Sequence, residues 1–338
     1  MNTTINDVAK AAGVSISTVS RVLSDNPRIS EDTKKRVRKA IKELKYHPNA
    51  IARSLANKAT KTIGLILNTE AQTLIRNPFF IQAMTGISQY AQENGYNVMF
   101  AYNKNEDEDL NIAIRYITSR SVDGIILFTS RANDKCIEYL TKEHFLFSVI
   151  GRPDKTEGVL WVDNDNFQAT YQVTDFLISK GHKKISFIGG PIGHNVSRDR
   201  FEGYKRAISV HGYTIDENIT FLNGDFSEEF GYECLQKLIE TCEFGEKFPT
   251  AIVTSDDMQA LGVLSAMRKA NISNTAVTGF NNTPVATCGN EVFVSVDVNA
   301  EKLGFYAAKL LLDKIEGEED APTHYIIPTD LVESKPFI

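Results

Sequence analysis

Residues Thr4–Leu23 read TINDVAKAAGVSISTVSRVL, and this stretch decides how the front of the chain folds. Thr4 and Asp7 stand where a capping box places its two members, each satisfying groups that the first helical turn leaves unpaired. Ile5, Val8, Ala9 and Ala12 then recur at the spacing of one helix face, and Gly13 supplies the left-handed stop. Ser15 caps a second helix that turns Val19, Val22 and Leu23 inward until Asp25-Asn26-Pro27 breaks it. Ser30-Glu31-Asp32 starts a third helix, with Val37, Ala40, Ile41 and Leu44 on one face and Lys34, Lys35, Arg38, Lys39 and Lys42 on the others. Two short helices across a glycine turn, closed by a third, describe a helix-turn-helix whose second helix enters the major groove of DNA. Its outward residues are Ser17, Thr18 and Arg21, with Ile16 at the entrance. Short hydroxyls fit close to the duplex backbone, and an arginine fork can bond O6 and N7 of guanine together. A solvated arginine or a phosphate contact is the plainer reading of Arg21.

Charge divides along the same line. Residues 1–61 carry 13 Lys and Arg against 5 Asp and Glu, a net +8; the rest carry 24 against 38, a net −14. A basic head on an acidic body is the footprint expected when only the head meets a polyanion. The 338 residues exceed one ordinary domain. No apolar run approaches the roughly 20 residues of a membrane span, and the first residues, MNTTINDVAK, lack the basic and apolar regions of a secretory signal. A cytoplasmic protein is the expectation. Cys136, Cys234, Cys242 and Cys288 are scattered without a CxxC pair, so neither metal nor disulfide use is expected, and no cofactor either.

Behind the head, short apolar runs alternate with helical stretches. Residues 63–67 (IGLIL), 97–102 (NVMFAY), 124–128 (GIILF), 145–150 (FLFSVI), 184–189 (KISFIG), 250–254 (TAIVT) and 276–280 (AVTGF) read as strands. Glycines end several of the helices between them, as at Gly95, Gly181 and Gly212. Alternation of this kind predicts parallel sheets covered by helices, and about 275 residues suit two such lobes better than one. Ligands in sheets of this type sit beyond the carboxyl ends of the strands.

Residues 5–23, then NPRISEDTKKRV (26–37) and YHPNAIARSLA (46–56), resemble the head of the lactose–galactose repressor (LacI/GalR) family of transcription regulators. The body is similar as well, through NPFF (77–80), VDNDN (162–166), GHKKISFIGGP (181–191), SRDRFEGY (197–204), GDFSEEFGY (224–232), SDDMQALG (255–262) and TGFNN (278–282). The resemblance implies a helix-turn-helix at 1–46, a hinge helix and linker at 47–61, and an effector-binding, dimerising body at 62–338 of the two-lobed periplasmic-binding-protein fold. Lobe 1 would take about 62–160 plus 292–322, and lobe 2 about 161–291 plus 323–338, joined by three crossings. Ile16, Ser17 and Arg21 would face base edges, with Thr4, Ser15, Thr18 and Asn26 nearer phosphates. The apolar Ile16 favours a thymine methyl. In the hinge, Asn49, Ala52 and Leu55 would meet DNA, Leu55 as a minor-groove wedge. Residues 50–55 are too few to hold a helix alone in water, so the segment would form only on DNA, paired with a second subunit. A plain linker with Leu55 packed on the body is the other reading.

For the body, the resemblance implies an effector wall of Phe79 and Phe80 with Phe226 opposite, and hydrogen bonds from Asp163, Arg200, Asp256, Asn281 and Asp297. Sugars present apolar CH faces to aromatic rings, and hydroxyls to carboxylate, amide and guanidinium groups. Duller roles stand beside each. Phe79 and Phe80 fit a core, Asp256 and Ser197 fit helix caps, Arg200 could pair with Asp199 or Glu202, and Asp163 could brace a loop. Asn281-Asn282 stands where many family members carry two aspartates, which removes negative charge and favours a neutral polyol. NPFF, VDNDN, SRDRFEGY and GFNN together look most like the maltose-operon repressors of low-GC Gram-positive bacteria.

The expected partners are therefore a pseudo-palindromic operator duplex, maltose or a maltodextrin, and a second copy of the chain, with no membrane. Within the family, the alternative is a global carbon regulator that uses a phosphorylated carrier protein as corepressor. A hydrolase is disfavoured: Asp256 and Asp257 are adjacent at a helix start and point apart, and no Ser-His-Asp order, HExxH or phosphate loop is present. The basic head disfavours a transport-type solute-binding protein.

Overall fold

The computed structural model describes residues 3–23, 25–46, 59–69, 71–103, 106–242, 248–283 and 293–333. The chain divides into two compact units, Met1–Thr60 and Lys61–Ile338. The hinge residues Asn49, Ala52 and Leu55 lie outside the described residues.

In the first unit, α1 (Ile5–Ala12), α2 (Ile16–Leu23) and α3 (Glu31–Glu43) enclose a small core of Val8, Ala9, Ala12, Val19, Val22, Val37 and Ala40. The capping box forms: the Asp7 carboxylate accepts from the Thr4 N–H at 2.9 Å and the Thr4 hydroxyl at 2.7 Å. Gly13 closes α1 at φ 62°. Ser15 Oγ accepts from the Thr18 N–H and Ser30 Oγ from the Thr33 N–H, so both serines cap the helices they precede. Lys34 departs from the solvated role expected for it. Its side chain is buried between Asp25, at 3.1 Å, and Glu31, at 3.2 Å. An aliphatic stem covers apolar surface while its ammonium reaches two carboxylates at the edge.

The second unit holds two six-stranded sheets among the described residues. Sheet one runs β11(His324–Ile326)-β5(Leu160–Asp163)-β4(Phe147–Ile150)-β3(Gly124–Leu127)-β1(Thr62–Asn68)-β2(Asn97–Asn103), all parallel. Sheet two runs β12(Asp330–Glu333)-β10(Phe293–Asp297)-β9(Ala276–Phe280)-β8(Ala251–Thr254)-β6(Ile185–Ile188)-β7(Thr220–Phe221), parallel except for β12. Central strands such as β3, β4, β6 and β8 are buried at every residue, as strands covered on both faces must be.

The helices of this unit are α4 (Ala71–Arg76), α5 (Pro78–Glu93), α6 (Glu106–Thr118), α7 (Lys135–Lys142), α8 (Asn166–Ser179), α9 (Asn195–Val210), α10 (Glu228–Thr241), α11 (Asp257–Ala270) and α12 (Ala300–Ile315). None of the described helices is long and apolar enough to cross a membrane.

The chain crosses between lobes three times, after β5, β10 and β11, and this corrects the expected boundaries. Leu160–Asp163 pairs with β4 and so belongs to lobe 1, not lobe 2. Phe293–Asp297 pairs with β9 in lobe 2, and His324–Ile326 returns to β5 in lobe 1. Each strand completes the sheet it starts beside before the chain leaves, so every crossing comes a strand later than expected.

Glycines set how closely the covering helices approach. A Cβ on Gly86 of α5 would stand 1.9 Å from the Glu301 carbonyl of α12, and one on Gly304 would stand 1.9 Å from the Ala83 carbonyl of α5. Lobe 2 repeats the device, with Gly231 against Gln259 and Gly262 against Glu228. Backbone cannot yield as a side chain can, so Gly304→Ala is expected to destabilise the protein by about 1–3 kcal/mol in urea unfolding. A midpoint equal to that of the unsubstituted protein would show that α5 and α12 have room to separate.

Candidate functional site

The parallel strands of both sheets turn their carboxyl ends to the cleft, and the loops beyond them enclose a cavity of about 520 Å³. That lies within the range of small-molecule sites, ~300–1,000 Å³. Asn68 ends β1 and Thr69 follows it, Ser130 and Arg131 follow β3, Gly151 follows β4, and Asp163 ends β5. From lobe 2 come Pro191 and His194 after β6, Asp225 and Phe226 after β7, Asp256 after β8, and Asn281 after β9.

The aromatic wall is built by one helix start. Asn77 caps α5, its Oδ1 accepting from the Phe79 N–H at 3.1 Å, and Pro78 occupies the first turn, where its missing N–H costs nothing. Phe79 and Phe80 therefore leave the cap side by side, rings edge to face at 5.5 Å. Phe80 also stacks on Phe128 at 6.2 Å. Both line the cavity and pack on the core, so the core reading and the wall reading each hold for part of the ring surface. Phe226 lines the lobe 2 side, 6.3 Å from the His194 ring.

The polar floor centres on Arg200 of α9. Its Nε donates to Asn166 Oδ1 at 2.9 Å, Nη1 donates to the Ser255 carbonyl, and the guanidinium lies 4.1 Å from the centre of the Phe280 ring. Neither Asp199 nor Glu202 is its partner; Asp199 lies 3.6 Å from Arg198 instead. Burial lowers the Arg200 pKa to about 10, opposed by the charges of Asp256 and Asp163, so it stays a cation at neutral pH. Asp163 accepts from the Arg152 N–H at 2.8 Å, the Asn164 N–H at 2.8 Å and Asn166 Nδ2 at 2.9 Å. It braces the first crossing while lining the cavity.

Asp256 is the N-cap of α11, accepting from the Met258 N–H at 2.7 Å, and it is a cavity wall too. Its Oδ2 accepts from Asn281 Nδ2 at 2.7 Å and from Asn77 Nδ2 at 3.1 Å. Burial pushes Asp163 and Asp256 up to about 6, so both are ionised at neutral pH. Burial, reinforced by the Asp256 charge, pushes Asp257 up to about 8; it turns away to Ser295 and Thr283, which leaves no catalytic carboxylate pair.

Asp297 does not reach the cavity. Its carboxylate accepts from Asn282 Nδ2 at 3.1 Å and from the Asn299 N–H at 2.7 Å, which commits it to the second crossing. Ser197 is no cap: it lies inside the first turn of α9, whose N-cap is His194. Sequence reasoning missed Arg131, held by Asp109 at 3.0 Å, and His194, which burial, helped by Arg131, lowers to about 4 and so keeps neutral. Their place just beyond the carboxyl ends of β3 and β6 was the available signal.

On the head, Ile16 is 47% exposed, and Thr4, Ser17 and Arg21 are exposed too. Thr18 and Asn26 are half-buried. Ser15 Oγ is within hydrogen-bond distance of Ser17 Oγ at 2.8 Å and Thr18 Oγ1 at 2.9 Å, while Asn26 Oδ1 accepts from the Arg28 N–H at 2.9 Å. A row of hydroxyls thus crowns the amino end of α2, and Arg21 stands exposed in its last turn, the geometry a reading helix presents to a groove.

Residues 4–49 match the family of bacterial regulatory proteins of the lacI type, and residues 60–335 match the periplasmic binding proteins and sugar binding domain of the LacI family. The HTH-type transcriptional regulator MalR of Streptococcus pneumoniae is 37% identical over 320 residues, 95% of each chain. Catabolite control protein A of Priestia megaterium is 33% identical over 316 residues, 92% of each chain. Among solved structures, a complex of the transcriptional regulator CelR with cellobiose superposes with a TM-score of 0.73 at 28% identity, covering 98% of this chain and 99% of that one. These relatives are transcription regulators, not enzymes. The chain belongs to the LacI family of bacterial transcription regulators, with that family's DNA-binding head and sugar-binding body.

Proposed function

We propose that this repressor controls a maltose or maltodextrin operon as a homodimer, and that the sugar binds between the lobes and releases the operator. The observation that carries the reading is the cavity itself: aromatic rings on one wall face a floor of one cation, two ionised carboxylates and amides. A neutral polyol uses every part of such a surface, its CH faces on Phe79, Phe80 and Phe226 and its hydroxyls on Asp163, Arg200, Asp256 and Asn281. The MalR relative supports maltose, and the cellobiose complex of a regulator with the same fold supports a disaccharide.

On the operator, Ile16, Ser17 and Arg21 read bases, while Thr4, Ser15, Thr18 and Asn26 hold phosphates. Asn49, Ala52 and Leu55 complete the contact from the paired hinges. Sugar closes the cleft, shifts one lobe against the other and disfavours that pairing. The similarity to catabolite control protein A favours a second reading, a carbon regulator with a phosphorylated carrier protein as corepressor. Selecting operators from random duplexes, then measuring their release by maltose and separately their retention by the carrier protein, decides between the two.

Arg21→Ala is expected to weaken operator binding by about 1–3 kcal/mol and relax preference at one base pair; uniform weakening on all duplexes would make Arg21 a phosphate contact. Arg200→Ala should bind operator but no longer respond to maltose, whereas a response like that of the unsubstituted protein would remove Arg200 from the site. Asp163 and Asp256 accept hydroxyl hydrogen bonds most strongly when ionised, and their pKa values are raised to about 6. Maltose affinity should therefore hold above pH 6 and fall below it, by about ten-fold per pH unit for each carboxylate that must lose its proton. Calorimetry between pH 7.5 and 5 checks this, and a level affinity would exclude both carboxylates as acceptors.

A further inference from the structure

The two lobes touch at several places around the cleft, and one contact differs from the others. Arg76 meets Glu229 at 3.1 Å and Arg198 meets Asp154 at 2.9 Å, but these pairs are exposed, where screening and side-chain entropy leave ion pairs little weight. Asn195, the first residue of α9, ties that helix start to two loops, through Ser130 and the Arg152 carbonyl. Asn77 ties helix to helix. It is 4% exposed, and its Nδ2 donates across the cleft to Asp256 Oδ2, also 4% exposed.

Both ends of this contact are N-caps. Asn77 Oδ1 holds the Phe79 N–H at the start of the helix that bears the aromatic wall, and Asp256 Oδ1 holds the Met258 N–H at the start of α11. Capping alone does not require asparagine, since serine and aspartate cap as well. An amide carries its acceptor and its donor on two separate atoms, so one can face its own helix while the other reaches a carboxylate opposite. Serine has one hydroxyl oxygen on a shorter side chain for both tasks, and aspartate would set two carboxylates against each other. The residue type at 77 thus follows from the cross-cleft bond.

We propose that Asn77 is a positioning residue that couples the two walls of the cavity, holding the closed, sugar-competent cleft through Asp256. The inference rests on the sugar-site reading above. Full-length protein, titrated with maltose by calorimetry, tests it in Asn77→Ser and Asn77→Asp, both of which keep a capping oxygen. Serine should weaken maltose binding about ten-fold, the loss expected for one hydrogen bond to a charged group, and aspartate should weaken it further. A role confined to capping α5 leaves both at the wild-type affinity.

Hydrogen exchange in the unsubstituted protein gives a second readout that needs no variant. Maltose should slow exchange of the Phe79 and Met258 amides together, and protection at only one of them overturns the coupling. Wild-type protein that binds no maltose removes the sugar-site reading and this inference with it. Wild-type binding alongside unaltered variants overturns the role of Asn77 alone.

Discussion

A buried guanidinium at the base of the cleft constrains the rest of the body. Moving an ion of that size out of water costs several kcal/mol even after the protein relaxes. Arg200 tolerates burial because Asn166, the Ser255 carbonyl and the face of Phe280 surround it, and because Asp256 and Asp163 supply opposite charge. Those carboxylates are themselves held by backbone amides at a chain crossing and a helix start. Breaking any one of these contacts leaves a buried charge uncompensated, so the cluster fixes how the carboxyl ends of β5, β6, β8 and β9 converge. Burial, with the Asp256 charge beside it, raises the pKa of Asp257 to about 8, and its carboxyl turns to Ser295 and Thr283 instead of the cavity.

That rigidity gives the cavity a direction. One side offers rings and the other offers fixed donors and acceptors, so a ligand must present both an apolar face and hydroxyls. Two buried side-chain links across the cleft, from Asn77 and Asn195, begin at the helix starts that shape the walls. Small changes at the ligand can then become a choice between two packings of the lobes, because packed interiors shift between discrete arrangements rather than deform smoothly. The acidic body and the basic head keep the two tasks apart: the duplex attracts the head and repels the rest.

Local chemistry was legible in the sequence wherever the cause was local. The capping box at Thr4 and Asp7, the stop at Gly13 and the cap at Ser30 lie within one turn of what they control, and all three formed. The apolar runs at 63–67 and 250–254 became central strands for the same reason. Allegiance to a sheet is not local. Nothing local in Leu160–Asp163 or Phe293–Asp297 says which sheet each joins until its neighbours are known, and the boundaries slipped by one strand at each crossing. Asp297 was misplaced by the same cause, since it sits on the second crossing and not beside it. Lys34 looked solvated because its two carboxylate partners, Asp25 and Glu31, converge only when the helices pack. Arg131 and His194 carry no motif; only the positions of the loops after β3 and β6 bring them to the cavity.

The central claim is that sugar and operator oppose each other through one shared equilibrium. Calorimetry of maltose binding with and without saturating operator, set beside operator affinity with and without saturating maltose, measures that opposition from both ends. Thermodynamic linkage requires the two ratios to be equal, at ~5–150-fold for coupling of the usual size. Equal ratios in that range are the predicted result. Maltose affinity that is the same on and off the operator would contradict the account.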